Sequence, residues 1–275
     1  MQVIILAAGK GSRMGDFING NHKCLLPINS NDSFLTHLLH QLNEYQISKV
    51  VIVTGYLSHL IEKAASSFQL NKELVENDRY EVDTNIYSMK LALDHLSSNE
   101  PVVVFEADTY IDELALQKIM TASEADKSLW FTKGNFRFPQ YGGILKSEDS
   151  KISDIQIVPK YEDVFEGYQK HILYKSLVNE YAKKTLVQYY LIPWIEHLKD
   201  LPCYSESLSN FIIESVNNYD EYSSFLASLR ENEKTQNIQI ELLYLQELLP
   251  IEDHISERAE MLFEEISNSE FWTKP

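Results

Sequence analysis

Three short apolar runs rich in β-branched residues, separated by stretches of helical periodicity, constrain the fold of this chain more than any other feature. Residues 2–7 (Gln-Val-Ile-Ile-Leu-Ala) are continuously apolar rather than alternating and stop at Gly9. They read as a strand buried on both faces of a parallel sheet. Leu35, Leu38, Leu39, Leu42 and Tyr45 then recur at helical spacing, and Val50 to Val53 before Gly55 give a second buried strand, completing a βαβ unit. The alternation continues with a helix around His59 to Phe68, a short strand near Leu74, a helix from Thr84 to Leu96 and the strand Val102 to Phe105. The first half is therefore predicted to be a doubly wound α/β sheet.

After residue 125 the pattern changes. Strand-like pieces occur at Leu129 to Thr132, Gly143 to Lys146 and Ile152 to Val158, followed by helical stretches over roughly 166–200. From Glu231 onward eleven acids stand against Lys234, Arg258 and Lys274, and Leu242, Leu245, Leu248 and Leu249, then Ile255, Ala259, Leu262 and Ile266, fit two amphipathic helices split at Pro250. The expected organisation is a domain over 1–230, with a nucleotide-binding half at 1–125 and an acceptor-side half at 126–230. An acidic helical extension over 231–275 then docks on the body or pairs two copies in a homodimer.

Charge and cysteine usage narrow the class of partner. A net charge of −17 argues against nucleic acid, which needs a basic stripe to displace counterions. Residues 1–30 nevertheless carry a net +2 from Lys10, Arg13 and Lys23 against Asp16, leaving −19 on the rest. A cationic island of this kind suits a small polyanion such as a nucleotide. Two cysteines, Cys24 and Cys203, make no disulfide framework, and the apolar run Val3 to Ala8 is too short for a signal core or a membrane span. A cytoplasmic location without membrane partners is expected.

The segment Leu6-Ala7-Ala8-Gly9-Lys10-Gly11-Ser12-Arg13-Met14-Gly15 follows the first strand directly. Small residues at 7, 8, 9 and 11 let the backbone approach a ligand, and successive main-chain N–H groups can then meet phosphate oxygens. A dinucleotide fingerprint needs glycine where Met14 stands, and no Gly-Lys-Ser/Thr follows at P-loop spacing. What remains is a glycine loop carrying its own cations, Lys10 and Arg13, with Lys23 beyond it. Fixed cations of this sort stabilise the negative charge that builds on departing pyrophosphate, and the Arg13 guanidinium can fork two oxygens.

Leu6 to Met14 resembles the signature of the sugar-phosphate nucleotidylyltransferase superfamily, Leu-Ala-Ala-Gly-x-Gly-Ser/Thr-Arg-Met/Leu, followed by a Pro-Lys element whose lysine matches Lys23, with His22 in the proline's place. Glu76-Asn77-Asp78-Arg79-Tyr80 and Asn85-Ile86-Tyr87-Ser88 look like the small bacterial phosphocholine-type cytidylyltransferases of that superfamily. The resemblance implies a mostly parallel, Rossmann-like sheet of the nucleotide-diphospho-sugar transferase type with a helical C-terminal extension. It implies a Mg²⁺-dependent enzyme that moves a nucleoside monophosphate, from CTP in preference, onto a small phosphorylated acceptor such as phosphocholine or a phosphonate, in the service of surface polysaccharides. Arg13, Lys23 and Asp108 would be catalytic. Leu6, Ala7, Ala8, Gly9, Lys10, Gly11, Ser12, Arg13, Asn77, Asn85 and Ser88 would bind nucleotide.

Glu106-Ala107-Asp108 ends the strand Val102 to Phe105 at the same sheet edge as the glycine loop. Mg²⁺ asks for one or two protein carboxylates and keeps waters and phosphates for the rest. The resemblance makes Asp108 the first ligand and leaves Glu214, in Phe211-Ile212-Ile213-Glu214-Ser215, in the place of a second aspartate. Glu106 is a third candidate or an edge residue. Asn77, Asn85 and Ser88 either meet base and ribose or belong to the start of a helix that Asp83 or Thr84 caps. Tyr80, Tyr87, Tyr110, Trp130 and Tyr141 are the aromatic residues whose order along the chain can bring them near the sheet edge, where an aromatic cage would hold a quaternary ammonium. Competing functions are a sugar-1-phosphate nucleotidylyltransferase using UTP or dTTP, a metal-dependent glycosyltransferase, and a nucleotide sensor without turnover.

Overall fold

The computed structural model describes residues 1–18, 20–82, 85–97, 100–122, 127–135, 142–158, 169–175, 198–199 and 202–232. The chain forms two compact units, Met1–Asn218 and Tyr219–Pro275.

In the first unit, β1 (Gln2–Ala7), β2 (Lys49–Thr54), β3 (Lys72–Glu76) and β4 (Val102–Glu106) lie side by side in the order β3-β2-β1-β4, all parallel. The expected burial on both faces is met: Val3, Ile5 and Ala7 enter one core, and Ile4 and Ala8 enter the other. Helices α1 (Phe34–Leu42), α2 (Ser58–Ala65) and α4 (Glu113–Ala122) supply the first core with Leu35, Leu38, Leu39, Leu42, Ile61, Ala115, Leu116 and Ile119. Helix α3 (Ile86–Asp94) supplies the second with Ile86, Met89, Ala92 and Leu93. Each fully buried Leu, Ile or Met side chain among them contributes about 1.5–3 kcal/mol. The α1 start is fixed locally by a capping box, in which the Ser33 hydroxyl accepts from the Thr36 N–H and the Thr36 hydroxyl accepts from the Ser33 N–H.

The crossovers explain where a ligand can sit. The chain winds outward from β1 through α1 and α2 on one face, and then α3 carries it over the other face to β4 on β1's free side. The loops leaving β1 and β4 therefore diverge at the topological switch point, where open α/β sheets leave a crevice.

Beyond β4 the sheet becomes mixed, running β4-β9-β6-β10-β8-β7. Strands β6 (Ser128–Asn135), β7 (Gly142–Glu148) and β8 (Lys151–Val158) fall where the sequence placed them. The helical expectation over 166–200 needs correcting, because Gln169–Lys175 is a strand, β9, antiparallel to both β4 and β6. Two waiting edges decide this segment, and pairing overrides a local periodicity that had no breaker in it. The remainder of 166–200 lies outside the described residues except 198–199. Strand β10 (Cys203–Ser207) runs parallel to β6. A separate two-stranded sheet pairs β5 (Thr109–Ile111) with β11 (Ile213–Ser215).

In the second unit residues 219–232 are helical, with Tyr222, Phe225 and Leu229 buried. The two helices expected around Pro250 lie outside the described residues.

Candidate active site at the switch point

The glycine loop leaves β1 at Ala7. Ala7 and Ala8 are buried, whereas Gly9, Lys10, Ser12 and Arg13 are exposed. Main-chain bonds hold its root to both neighbours: the Leu6 carbonyl accepts from Ala107 N–H at 3.1 Å, and the Ala8 carbonyl from Tyr56 N–H at 3.1 Å. Gly9 and Gly11 are glycines for different reasons. A Cβ on Gly9 would meet nothing within 4 Å, and its φ is not left-handed, so neither packing nor backbone geometry demands glycine there. Gly11 has φ +64°, and a Cβ on it would stand 3.1 Å from Lys23 Cβ. Gly11 is thus required by its conformation and by the lysine lying against it.

That lysine is the center of the site. Lys23 opens a short 3-10 turn, Lys23–Leu25, and its Nζ reaches Asp108 Oδ2 at 2.5 Å. Its side chain is 9% exposed, against 28% for Asp108. Asp108 lies in the turn between β4 and β5, so the pair ties the segment after β1 to the end of β4 across the switch point. A charge-assisted bond between a buried ammonium and a half-buried carboxylate fixes both groups.

His22 precedes this turn and is itself buried at 3% exposure. Its Nδ1 accepts from the Cys24 N–H at 3.3 Å and faces Cys24 Sγ at 3.1 Å, while Nε2 is buried without a hydrogen-bond partner. Burial holds the imidazole below its ordinary pKa, with Asp108 and the Gly9 and Ala7 carbonyls opposing and Lys23 assisting. Burial first, and Asp108 second, push the Cys24 thiol well above its usual range. The sequence marks His22 as a departure from the proline, and its burial is not legible in the string.

Tyr56 was also missed. Lys10 Nζ lies 5.7 Å from its ring centroid, and Tyr80 stands beside it at 6.2 Å. Gly55 admits this crowding, because a Cβ there would be 2.8 Å from Tyr80 Cβ and 2.9 Å from the Ala8 carbonyl. The available signal was Gly55 itself, a glycine directly after a buried strand.

Asn77 and Ser88 are brought together. Asn77 is fully buried; its amide donates to the Ser88 hydroxyl at 2.9 Å and its Oδ1 accepts from the Arg79 N–H at 2.8 Å. Asn85 stands at the N-cap of α3 with φ 80° and makes no side-chain capping bond. It thus precedes the first helical turn in which it was expected; Asp83 and Thr84 lie outside the described residues. Glu106 ends β4, opposite Leu6. Among the suggested aromatic residues, Trp130 is a core residue at 0% exposure and Tyr110 stacks on His37 at 4.7 Å, while Tyr141 lies outside the described residues.

Glu214 sits on β11 directly opposite Tyr110, two residues along from Asp108. Positions 110 and 214 share a face by pairing, and Asp108 lies in the turn that leads into β5. The Glu214 carboxylate forms an ion pair with Lys133 of β6. Asp112 fixes this arrangement: Oδ1 accepts from the Ala115 N–H at the head of α4 and Oδ2 from the Ile212 N–H, one hundred residues away. Among the described residues no three His, Cys, Asp or Glu side chains gather as a metal-holding group, and none of the helices is long and apolar enough to cross a membrane.

Known proteins resemble this chain over most of its length. Choline-phosphate cytidylyltransferase of Haemophilus influenzae is 26% identical over 243 residues, spanning 85% of this chain and 100% of that protein. The protein of the same name from Streptococcus pneumoniae is 25% identical over 236 residues, 82% of this chain and 98% of its own length. The solved CTP:phosphocholine cytidylyltransferase from Streptococcus pneumoniae shares the fold, with a TM-score of 0.66 at 21% identity over 83% of this chain and 98% of that one. The resemblance read from the glycine loop is confirmed. Residues 3–174, more than half of the sequence, match one family, and the chain belongs to it: the MobA-like NTP transferase domain family.

Proposed function

We propose that this nucleotidyltransferase moves CMP from CTP to a small phosphorylated acceptor, phosphocholine or a phosphonate, with release of pyrophosphate. The observation that carries the proposal is the Lys23–Asp108 pair at 2.5 Å, set where the glycine loop and the end of β4 diverge. Gly9 supports it, since a glycine that no protein atom requires is explained by a ligand approaching the backbone closely.

In this proposal the exposed Lys10 and Arg13 meet the triphosphate tail, main-chain N–H groups of residues 8–11 face its oxygens, and Lys23 offers a fixed ammonium at the reacting end. An acceptor phosphate oxygen attacks the α-phosphorus, the bond to the bridging oxygen of the β-phosphate breaks, and its electrons leave with pyrophosphate. The nucleophile is already ionised at neutral pH, so no protein base is needed; orientation and charge neutralisation lower the barrier. Asn85 contacts the base or ribose, with the buried Asn77–Ser88 pair as its support.

The carboxylates fit Mg²⁺ as a donor set. Asp108 and Glu214 are hard oxygen ligands, one in the turn before β5 and one on the strand paired with β5, and each is balanced at present by a lysine, Lys23 or Lys133. Asp108 and Glu214 would hold the ion, whose chemistry is to neutralise charge on phosphoryl oxygens. Cys24 and Cys203 are buried free thiols, which supports a cytoplasmic setting, and pairing of two copies through 231–275 is tested by light scattering.

The deciding assay is pyrophosphate release with CTP, UTP or dTTP and Mg²⁺ against phosphocholine, an aminoalkyl phosphonate and a sugar 1-phosphate. Release with CTP and either of the first two acceptors is expected. Release only with UTP or dTTP and a sugar 1-phosphate would transfer the enzyme to sugar-nucleotide synthesis. Sugar transfer without pyrophosphate would make it a glycosyltransferase, and nucleotide binding without turnover a sensor.

A further inference from the structure

We propose that His22 is a positioning residue for the glycine loop: its Nε2–H is the donor that draws back the Ala7 and Gly9 carbonyls and so aims the following N–H groups, those of Ala8 and Lys10, at the triphosphate. The inference rests on the nucleotide-binding reading of the loop and adds to it a residue outside the loop that sets the amide directions.

The tautomer follows from the neighbours. Nδ1 accepts from the Cys24 N–H at 3.3 Å, so in the neutral ring the proton is on Nε2. Cys24 Sγ, 3.1 Å from the same nitrogen, adds a second donor, because burial keeps its thiol protonated. Burial also favours the neutral imidazole.

Nε2 is then an N–H donor, fully buried and without a hydrogen-bond partner, in a side chain 3% exposed. Such a group is costly to leave unpaired and calls for an explanation. Hydrogen bonding toward the Gly9 and Ala7 backbone raises the ring's affinity for a proton, yet neither carbonyl meets full bond geometry at Nε2. A donor held short of two loop carbonyls gains its partner when the loop closes. Because the trans peptide is planar, its C=O and N–H point in opposite directions. Turning the Gly9 carbonyl inward toward His22 turns the Lys10 N–H outward, and the Ala7 carbonyl does the same for the Ala8 N–H.

The test uses the full chain and direct binding. CTP, the other NTPs and inorganic tripolyphosphate are titrated calorimetrically into wild type, His22→Phe and His22→Gln, beside melting curves without ligand. His22→Phe removes both the Nε2 donor and the Nδ1 acceptor of the Cys24 N–H, whereas His22→Gln keeps an N–H donor on the side chain. His22→Phe is expected to weaken CTP and tripolyphosphate alike by about fivefold to tenfold, the worth of one buried hydrogen bond, and to lower Tm because the Cys24 N–H loses its acceptor. His22→Gln should recover most of that loss. A merely structural histidine would lose Tm in His22→Phe with nucleotide affinity unchanged. Unchanged affinity in His22→Phe, or equal losses in the Phe and Gln variants, would overturn the role of His22 while leaving nucleotide binding intact. A wild type that binds no NTP would overturn both.

Discussion

Two lysine–carboxylate pairs flank the proposed reaction center, and they differ in how they are built. Lys23–Asp108 belongs to the parallel half; it joins segments 85 residues apart, and its lysine is 9% exposed. Lys133–Glu214 belongs to the mixed extension, and both partners are near 30% exposed, at 27% and 30%. A buried pair cannot lose one partner without stranding the other, whereas a pair open to water is screened and contributes little. The first pair is therefore expected to be indispensable to the site and the second adjustable.

Four measurements would break or sharpen this contrast. Asp108→Ala should lower kcat/KM by about 10³-fold, the scale of losing a preorganised electrostatic group; full turnover in steady-state assays would end the assignment. Lys23→Met should cost about 10²-fold in kcat on the same grounds and also lower Tm, because Asp108 is left half-buried without its cation. In the outer pair, Glu214→Gln should weaken Mg²⁺ activation about tenfold, in the range of lost metal-supporting contacts, whereas Lys133→Met should stay within about threefold. Equal losses in Lys23→Met and Lys133→Met would erase the distinction.

The smallest effect concerns pH. His22 beside the inner pair and His37 stacked on Tyr110 beside the outer one are both held below the ordinary histidine pKa, mainly by burial. The unfolded chain then takes up these protons first as pH falls. Stability should be complete above the ordinary value near 6.5 and decline on acidification below it. Melting curves over about pH 7.5 to 5.5 should show the decline, and His37→Gln should flatten it. A Tm that rises on acidification would reverse the sign and refute it.

What the sequence disclosed follows the same division. Leu6 to Met14 is a contiguous string after a buried strand, and Asp108 closes another, so both could be placed at one sheet edge from local pattern alone. Strand β9 could not, because Gln169–Lys175 has no breaker and its strand character comes from the edges of β4 and β6. The environments of His22, Gly55 and Tyr56 are equally non-local: each is defined by a backbone atom of residues 7–9 or a ring from another loop. The lysine partner of Glu214 needed both β6 and the β5–β11 pairing before it could be named.

The divided carboxylate of Asp112 has a temporal consequence. One oxygen serves the head of α4 and the other waits for the amide of Ile212, made one hundred residues later on the ribosome. Domains form from the N-terminus as synthesis proceeds, so the parallel half can assemble while Glu214 is still unmade. An emerging chain therefore carries the glycine loop and Asp108 well before the amide that completes the Asp112 bonding is made.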